Sequence, residues 1–286
     1  MAATPEETKQ RIIEYYVATT EESYLPNWAG ESLGFHFGLA DEHTQSLAES
    51  LLNSNAFLSE RAQIGKSCRV LDAGCGVCGS AIWLAQQRGA RVTGVTLVER
   101  QVQLAREFIR ERGVEDLVDA EQRDMADTGF SEQTFDVVWN LESMCHVLDL
   151  DAYFEHIAFL LKDRGRFACI DLCAGPTRDQ ALEQIVCDGW AMAPLRSPAE
   201  IVAALSRHDF ENVEVLDLTE RAMLSGRALE AMASRSLLKI RAEQTFLGQT
   251  FPIYEGHVRA ALAMVEGMRT GRTSVTHFLA SRKQRP

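Results

Sequence analysis

Three glycines with the spacing of a nucleotide-binding loop lie within the run VLDAGCGVCG, residues 70–79. Gly74, Gly76 and Gly79 follow the pattern G-x-G-x-x-G. Glycine lets a backbone turn sharply and approach a ligand closely, so this run predicts a binding loop between a strand and a helix. The same spacing also matches the dinucleotide fingerprint, and the glycines alone leave the cofactor undecided.

Two other residues argue against a dinucleotide cofactor. A dinucleotide site needs Asp or Glu near the end of the second strand to hold the ribose, and Thr96 stands there instead. Asp72 precedes the first glycine, where a carboxylate would repel a diphosphate and attract a cation. S-adenosyl-L-methionine carries both an ammonium and a sulfonium. The sequence therefore predicts this cofactor, released as S-adenosyl-L-homocysteine, at a site that includes Asp72, Gly74, Gly76 and Thr96.

Glu142 and His146 are the candidate catalytic residues. Glu142 follows the fourth predicted strand, at the crevice where doubly wound sheets bind ligands. Methyl transfer from a sulfonium requires alignment and exclusion of water, and a base only if the acceptor loses a proton. His146 would share a face with Glu142 if the segment were helical, and the pair would tune each other's pKa. The alternatives are a Glu142 that caps the next turn or pairs with a cationic neighbour, and a purely structural His146.

Aromatic side chains are concentrated near the N-terminus, with six of them between Tyr15 and Phe37. If the acceptor is an alkene, its methylation leaves a carbocation, and aromatic faces stabilise cations. Each residue singly could equally be packing. The predicted substrate-binding residues are Tyr16, Tyr24, Trp28, Phe35, Phe37 and Trp190.

Cys75 and Cys78 form a C-x-x-C pair, which could be redox-active or half of a zinc site. A second such pair is missing from the sequence, so packing of small side chains within the loop is the favoured interpretation. We predict that the protein binds no metal ion.

Strands and helices alternate along the chain, which indicates a parallel sheet covered on both faces. The predicted fold class is α/β, a doubly wound, mostly parallel seven-stranded sheet of the Rossmann-like kind. Strands are predicted in CRVLDAG, RVTGVT, VDAEQRD, FDVVWN, GRFACIDLC, VEVLDL and residues 273–281. Helices are predicted at 5–20, 42–62, SAIWLAQQRG, 99–112, 151–162 and throughout 220–271.

Four regions follow from this pattern. Residues 1–62 form N-terminal helices and a lid that includes the Gly-rich, loop-like segment 24–41, and residues 63–219 form the cofactor-binding core. Residues 220–271 are a helical lid insert, because two neighbouring edge strands need only a few linking residues. Residues 272–286 hold the last strand and the tail. The exposed amphipathic helix 5–20 also makes a homo-oligomer plausible.

The bulk composition excludes several classes of protein. A net charge of −12 argues against a nucleic-acid partner, because phosphates require a basic surface. Seven scattered cysteines and the lack of a signal-peptide pattern favour the cytoplasm. The sequence contains no apolar stretch of about 20 residues that would span a membrane.

The stretch DAGCGVCGSAIWLAQQRGARVTGVTLVERQ resembles the cofactor core of class I S-adenosylmethionine-dependent methyltransferases. Within that class, Gly94-Val95-Thr96-Leu97 followed by Gln101 resembles the tocopherol, sterol, cyclopropane-fatty-acid and isoprenoid C-methyltransferases. The resemblance implies that Thr96 and Leu97, through their backbone, and Gln101 bind the ribose and adenine.

Further matches extend this resemblance over most of the chain. It implies that His36, in the element His36-Phe37-Gly38, lies over the cofactor and that Asp124 and Met125 read the adenine amino group. In Asn140-Leu141-Glu142-Ser143 it implies a cofactor contact at Asn140 and a substrate contact at Glu142. Cys78 replaces the usual third glycine of the loop, and we expect Gly79 to preserve the turn.

These features together predict a methyltransferase of natural-product metabolism that acts on a small lipophilic molecule. Carbon methylation of a prenyl or terpenoid olefin is favoured by the resemblance. The alternatives are O- or N-methylation of a phenolic or alkaloid acceptor, a methyltransferase-fold cyclase, and a non-catalytic protein that binds the cofactor. The sequence leaves the acceptor and its methylated atom open.

Overall fold

The computed structural model describes residues 4–247 and 252–285, whose strands form one seven-stranded sheet in the order β3-β2-β1-β4-β5-β7-β6. Neighbouring strands are parallel except β7, which runs antiparallel to both β5 and β6. The predicted fold class is therefore confirmed. The strands are β1 Arg69–Ala73, β2 Arg91–Thr96, β3 Val118–Gln122, β4 Phe135–Leu141, β5 Leu161–Ala174, β6 Phe210–Asp217 and β7 Thr273–Arg282.

Helices cover both faces of this sheet. They are α1 Pro5–Thr19, α2 Leu47–Arg61, α3 Gly79–Arg88, α4 Glu99–Glu111, α5 Leu150–Leu160, α6 Gln180–Gly189, α7 Pro198–Arg207, α8 Thr219–Leu247 and α9 Pro252–Thr270. Helices α6 and α7 were not predicted, although α7 begins with a capping box formed by Ser197 and Glu200.

The structure also corrects three predicted elements. The helix predicted at 42–62 begins only at Leu47, because Ser46 and Glu49 form a capping box there. Residues Thr20–Ala29 form a π-helix that overlaps the segment 24–41, which was expected to be a loop, and π-helices are too rare to be expected from a sequence pattern. The predicted helix 220–271 consists of α8 and α9, and residues 248–251 lie outside the described part.

The site is positioned by the reversal of strand order next to β1. Strand β1 pairs with β2 on one side and with β4 on the other, so the loops leaving β1 and β4 diverge to opposite faces. Alternate residues of β1 enter two separate cores, Val70 on one face and Leu71 on the other. Burial on both faces fixes the strand rigidly beneath the glycine loop.

The N-terminal segment and the insert meet above the carboxyl ends of the strands. The Tyr15 hydroxyl of α1 lies 2.7 Å from Nδ1 of His257 in α9. The N–H of Ala40 donates to the backbone carbonyl of Arg221 in α8, at 2.8 Å. Two distant parts of the chain are thereby joined over the crevice.

Candidate active site

The glycine loop adopts a backbone conformation that few side chains tolerate. Gly74 and Gly76 have φ angles of 87° and 53°. A Cβ atom on Gly74 would overlap the side chain of Ser143. Cys78, at the third small position, itself takes a φ of 65°, and α3 starts at Gly79. The turn expected despite the cysteine is therefore present, and its backbone faces a cavity.

Asp72 is 3% exposed, and its Oδ2 has no hydrogen-bond partner among the described residues. Burial raises the pKa of this carboxyl to about 7, although the backbone N–H of Ala81 partly opposes the rise. An unpartnered buried carboxylate is costly unless a ligand satisfies it. Because the side chain lines the cavity beside the glycine loop, a cationic ligand fits this position.

This first cavity has a volume of about 330 Å³. Its lining includes nine of the ten predicted cofactor-binding residues, namely His36, Asp72, Gly74, Gly76, Thr96, Leu97, Gln101, Asp124 and Met125. Thr96 Oγ1 donates to Gln101 Oε1 at 2.7 Å, and Gln101 Nε2 donates to Thr20 Oγ1 at 3.1 Å. The end of β2 is thus tied to the N-terminal segment that covers it.

Asn140, the tenth predicted cofactor residue, does not line either cavity described here, so its expected direct contact is corrected. It is completely buried, and its Nδ2 donates to the carbonyl of Ala73 at 3.0 Å and to Ser143 Oγ at 2.9 Å. Its Oδ1 accepts from the Tyr153 hydroxyl at 2.8 Å. Asn140 therefore braces the end of β1 behind the glycine loop.

Asp124 connects the cofactor cavity to α1. Its Oδ2 lies 2.7 Å from Nζ of Lys9, and its Oδ1 accepts from the N–H of Ala126 at 2.8 Å. Lys9 lines the same cavity. The ion pair holds α1 across the mouth of the cavity, and this contact could not be predicted from the spacing of residues along the chain.

A second cavity of about 170 Å³ adjoins the first. Its lining contains all six predicted substrate-binding aromatics, Tyr16, Tyr24, Trp28, Phe35, Phe37 and Trp190. The residues that line both cavities are Tyr16, Phe35, His36, Glu142 and His146. A cofactor in the first cavity and an acceptor in the second would therefore meet at these side chains.

Residues of the helical insert line part of the second cavity, and these lining residues were not predicted from the sequence. Leu229, Met232, Ala233 and Ser236 of α8 line it, with a spacing that places them on one helical face. His257 of α9 also lines it and is hydrogen-bonded at both ring nitrogens, by Tyr15 and Ser23. The apolar periodicity of α8 could have indicated these lining residues.

Glu142 is open to both cavities and otherwise enclosed by protein. Its backbone takes a φ of 53°, and its Oε1 accepts from the N–H of Phe37 at 2.8 Å. Burial, and to a lesser degree the charge of Asp171, holds the pKa of Glu142 well above its usual range. No ion pair to Glu142 is found within the described residues, although its side chain lines both cavities.

His146 does not pair with Glu142, which corrects the predicted contact. Residues Met144–His146 form a 3-10 turn, and a tighter turn does not align side chains four residues apart. His146 Nε2 instead lies 2.9 Å from the Tyr16 hydroxyl, and its Nδ1 lies 3.1 Å from the carbonyl of Ala191. Burial lowers the pKa of His146 to about 4, so the ring is neutral at physiological pH.

His36 lies between the two cavities as a second neutral imidazole. Its Nδ1 lies 2.9 Å from the carbonyl of Phe37, which can only accept, so Nδ1 carries the proton. Burial lowers the pKa of this histidine to about 4. Its Nε2 is a buried acceptor with no partner among the described residues.

Residues 71–169 match the model of a family described as methyltransferase domain. Methyltransferase GfsG of Streptomyces halstedii is 31% identical over 186 residues, covering 64% of this chain and 67% of that protein. This chain is a class I S-adenosylmethionine-dependent methyltransferase. Its cofactor is S-adenosyl-L-methionine, and the unpartnered carboxylate of Asp72 fits that assignment.

Other similar proteins place this methyltransferase near the predicted subgroup. Geranyl diphosphate 2-C-methyltransferase of Saccharopolyspora erythraea is 31% identical over 63% of this chain and 61% of that protein. The solved structure of geranyl diphosphate C-methyltransferase from Streptomyces coelicolor A3(2) superposes with a TM-score of 0.75. Its identity is 22%, and the match covers 99% of both chains, so it shows the same fold. The predicted family resemblance is confirmed.

Cys75 and Cys78 are buried, and both sulfurs occupy the space that a side chain at Gly94 of β2 would need. Within residues 4–247 and 252–285, no cluster of three or more His, Cys, Asp or Glu side chains is placed to hold a metal ion. Among the described helices, none combines the length and hydropathy needed to cross a membrane.

Proposed function

We propose that this methyltransferase transfers a methyl group to a carbon atom of a prenyl or terpenoid olefin, within a small lipophilic natural product. The observation that supports this proposal is the aromatic second cavity, which meets the cofactor cavity at the carboxyl group of Glu142. That carboxyl has its pKa raised by burial and lacks an ion-pair partner among the described residues. An acceptor that becomes positively charged during the reaction would supply the partner charge that Glu142 lacks.

Attack of an alkene on a sulfonium methyl group generates a carbocation next to the new carbon–carbon bond. Aromatic faces stabilise such charge, and rings surround the second cavity. Tyr24 stacks on Phe35 with their centroids 4.6 Å apart, and Trp28 and Trp190 pack near Phe37. A carboxylate at Glu142 would add electrostatic stabilisation that strengthens as charge develops.

A carbocation must also be protected from water, because water would capture it. The N-terminal segment and the insert enclose the second cavity from opposite sides. The hydrogen bond from the N–H of Gly38 to Ser225 Oγ of α8, at 3.0 Å, helps to hold these two covers together. The names of similar proteins, which include C-methyltransferases of geranyl diphosphate and of sterols, agree with an olefinic acceptor.

The test is incubation with S-adenosylmethionine bearing a deuterated methyl group and a panel of prenylated metabolites. We expect one labelled methyl per acceptor, and carbon NMR should place it on an olefinic carbon. The matched control is each acceptor with its prenyl double bond saturated, which should remain unlabelled. Label on oxygen or nitrogen, or equal labelling of the saturated controls, would refute carbon methylation and favour a phenolic or alkaloid acceptor.

We infer a cytoplasmic enzyme that forms a homo-oligomer through α1. Support for the second inference comes from Val17 of α1, whose side chain is 57% exposed on a helix that also carries buried contacts. Light scattering on the purified chain and on Val17→Glu would test it. A monomeric wild-type protein would refute the inference.

A further inference from the structure

Tyr16 and His146 form a hydrogen-bonded pair at the junction of the two cavities. Both residues line both cavities, and the Tyr16 hydroxyl lies 2.9 Å from Nε2 of His146. The other ring nitrogen, Nδ1, lies 3.1 Å from the carbonyl of Ala191. A carbonyl can only accept, so Nδ1 carries the proton and Nε2 is the acceptor. The Tyr16 hydroxyl therefore donates to His146, and its oxygen lone pairs remain available to a molecule in the cavities.

We propose that Tyr16 is a catalytic residue that accepts the proton lost by the methylated acceptor while passing its own proton to His146. This inference rests on the proposed carbon methylation. The cofactor supplies a methyl group on a cationic sulfur, which leaves as a neutral thioether when the alkene electrons form the new carbon–carbon bond. A neighbouring C–H bond then breaks, its electrons form a new double bond, and its proton moves to the Tyr16 oxygen. The original hydroxyl proton of Tyr16 moves to Nε2 of His146.

A neutral phenol–imidazole pair is strong enough for this step. Protons next to a carbocation are extremely acidic, so a weak base suffices, whereas removal of a proton from a phenol or ammonium would need a stronger one. Burial keeps His146 neutral and therefore ready to accept. The relay avoids a doubly protonated tyrosine oxygen, because the positive charge comes to rest on the imidazole. Solvent recovers this proton when the product leaves.

Glu142 has a different role in this arrangement. One of its oxygens is already occupied by the N–H of Phe37 at 2.8 Å, which fixes the carboxyl at the cavity wall. Glu142 lines the same two cavities as Tyr16 and His146. We assign stabilisation of the carbocation to Glu142 and removal of the proton to the Tyr16–His146 pair.

The experiment compares Tyr16→Phe with Tyr15→Phe in the full-length enzyme. The neighbouring Tyr15 is a matched control, because its hydroxyl also bonds an imidazole, Nδ1 of His257 at 2.7 Å, but it lines neither cavity. Methyl incorporation and product structure are measured together. In Tyr16→Phe, methyl incorporation should continue while products with a displaced double bond or an added water rise about tenfold or more. His146→Asn should shift the products in the same direction, and Tyr15→Phe should leave them unchanged.

An acceptor-independent measurement is nitrogen NMR of the His146 ring in the ligand-free protein. Nε2 should have the shift of an unprotonated, hydrogen-bonded nitrogen, and the hydrogen-bond contribution should vanish in Tyr16→Phe. A protonated Nε2 would overturn the proposal. So would wild-type product composition in Tyr16→Phe, an equal shift in Tyr15→Phe, or a shift seen only in Glu142→Gln. Failure of the proposed function is distinct, because the label of the wild-type enzyme would then lie on oxygen or nitrogen.

Discussion

Replacing Asp72 with Asn should make the protein more stable and the cofactor site weaker. Because the pKa of Asp72 rises from 3.8 to about 7, keeping it ionised at pH 8 lowers the free energy of unfolding by up to about 4 kcal/mol. The Asn amide removes this cost. Its buried N–H groups are left unpaired, however, which lowers the free energy of unfolding by about 1–3 kcal/mol. We expect a net gain of about 1–3 kcal/mol at pH 8 from this balance.

The sign of the pH dependence follows from the raised pKa. The ionised form is the costly one, so the cost is absent below about pH 4 and grows as the pH rises to about 7. The stability advantage of Asp72→Asn should therefore shrink as the pH falls from 8 toward 5. Urea unfolding of the wild type and the variant at several pH values measures this difference directly.

Asp72→Asn should weaken cofactor binding, although it stabilises the fold. Loss of a charge-assisted contact costs about 1.5–3 kcal/mol, or about 10- to 150-fold in affinity. Calorimetry should show wild-type affinity falling as the pH drops through 7, and Asp72→Asn should lose that dependence. Equal losses for S-adenosylmethionine and S-adenosylhomocysteine would assign Asp72 to the ammonium, and a larger loss for the former would assign it to the sulfonium. A variant with wild-type affinity and no gain in stability at pH 8 would refute this account of Asp72.

Three further outcomes are expected. Gly76→Val should abolish calorimetric binding of S-adenosylhomocysteine, because a β-branched residue at a φ of 53° is strained by about 1–3 kcal/mol; undiminished affinity would contradict the loop assignment. Glu142→Gln should keep cofactor affinity and lower single-turnover methyl transfer about 100-fold, whereas an unchanged rate would mean that Glu142 only anchors the N–H of Phe37. Amide hydrogen exchange in residues 24–41 should slow when S-adenosylhomocysteine binds, and identical rates with and without ligand would identify the segment as fixed scaffold.

The sequence by itself predicted the cofactor and most residues of the cavity in which we place it, because those features are local. The glycine loop, Asp72 before it and Thr96 at the end of the next strand are fixed by the backbone path of one strand–loop–helix unit. Conformational preferences of neighbouring residues suffice to recognise such a unit. Alternating strands and helices then required a doubly wound sheet, and the aromatic N-terminal residues could be assigned to the substrate side.

Tertiary structure alone decided which side chains meet. Asn140 and Glu142 belong to one predicted motif, yet the first turns into the core behind the loop and the second faces both cavities. His146 bonds Tyr16, 130 residues away, and His257 bonds Tyr15 across 242 residues. A short tight turn in place of an α-helix was enough to separate His146 from Glu142. Side-chain partners depend on the packing of distant elements, and spacing along a single chain does not carry that information.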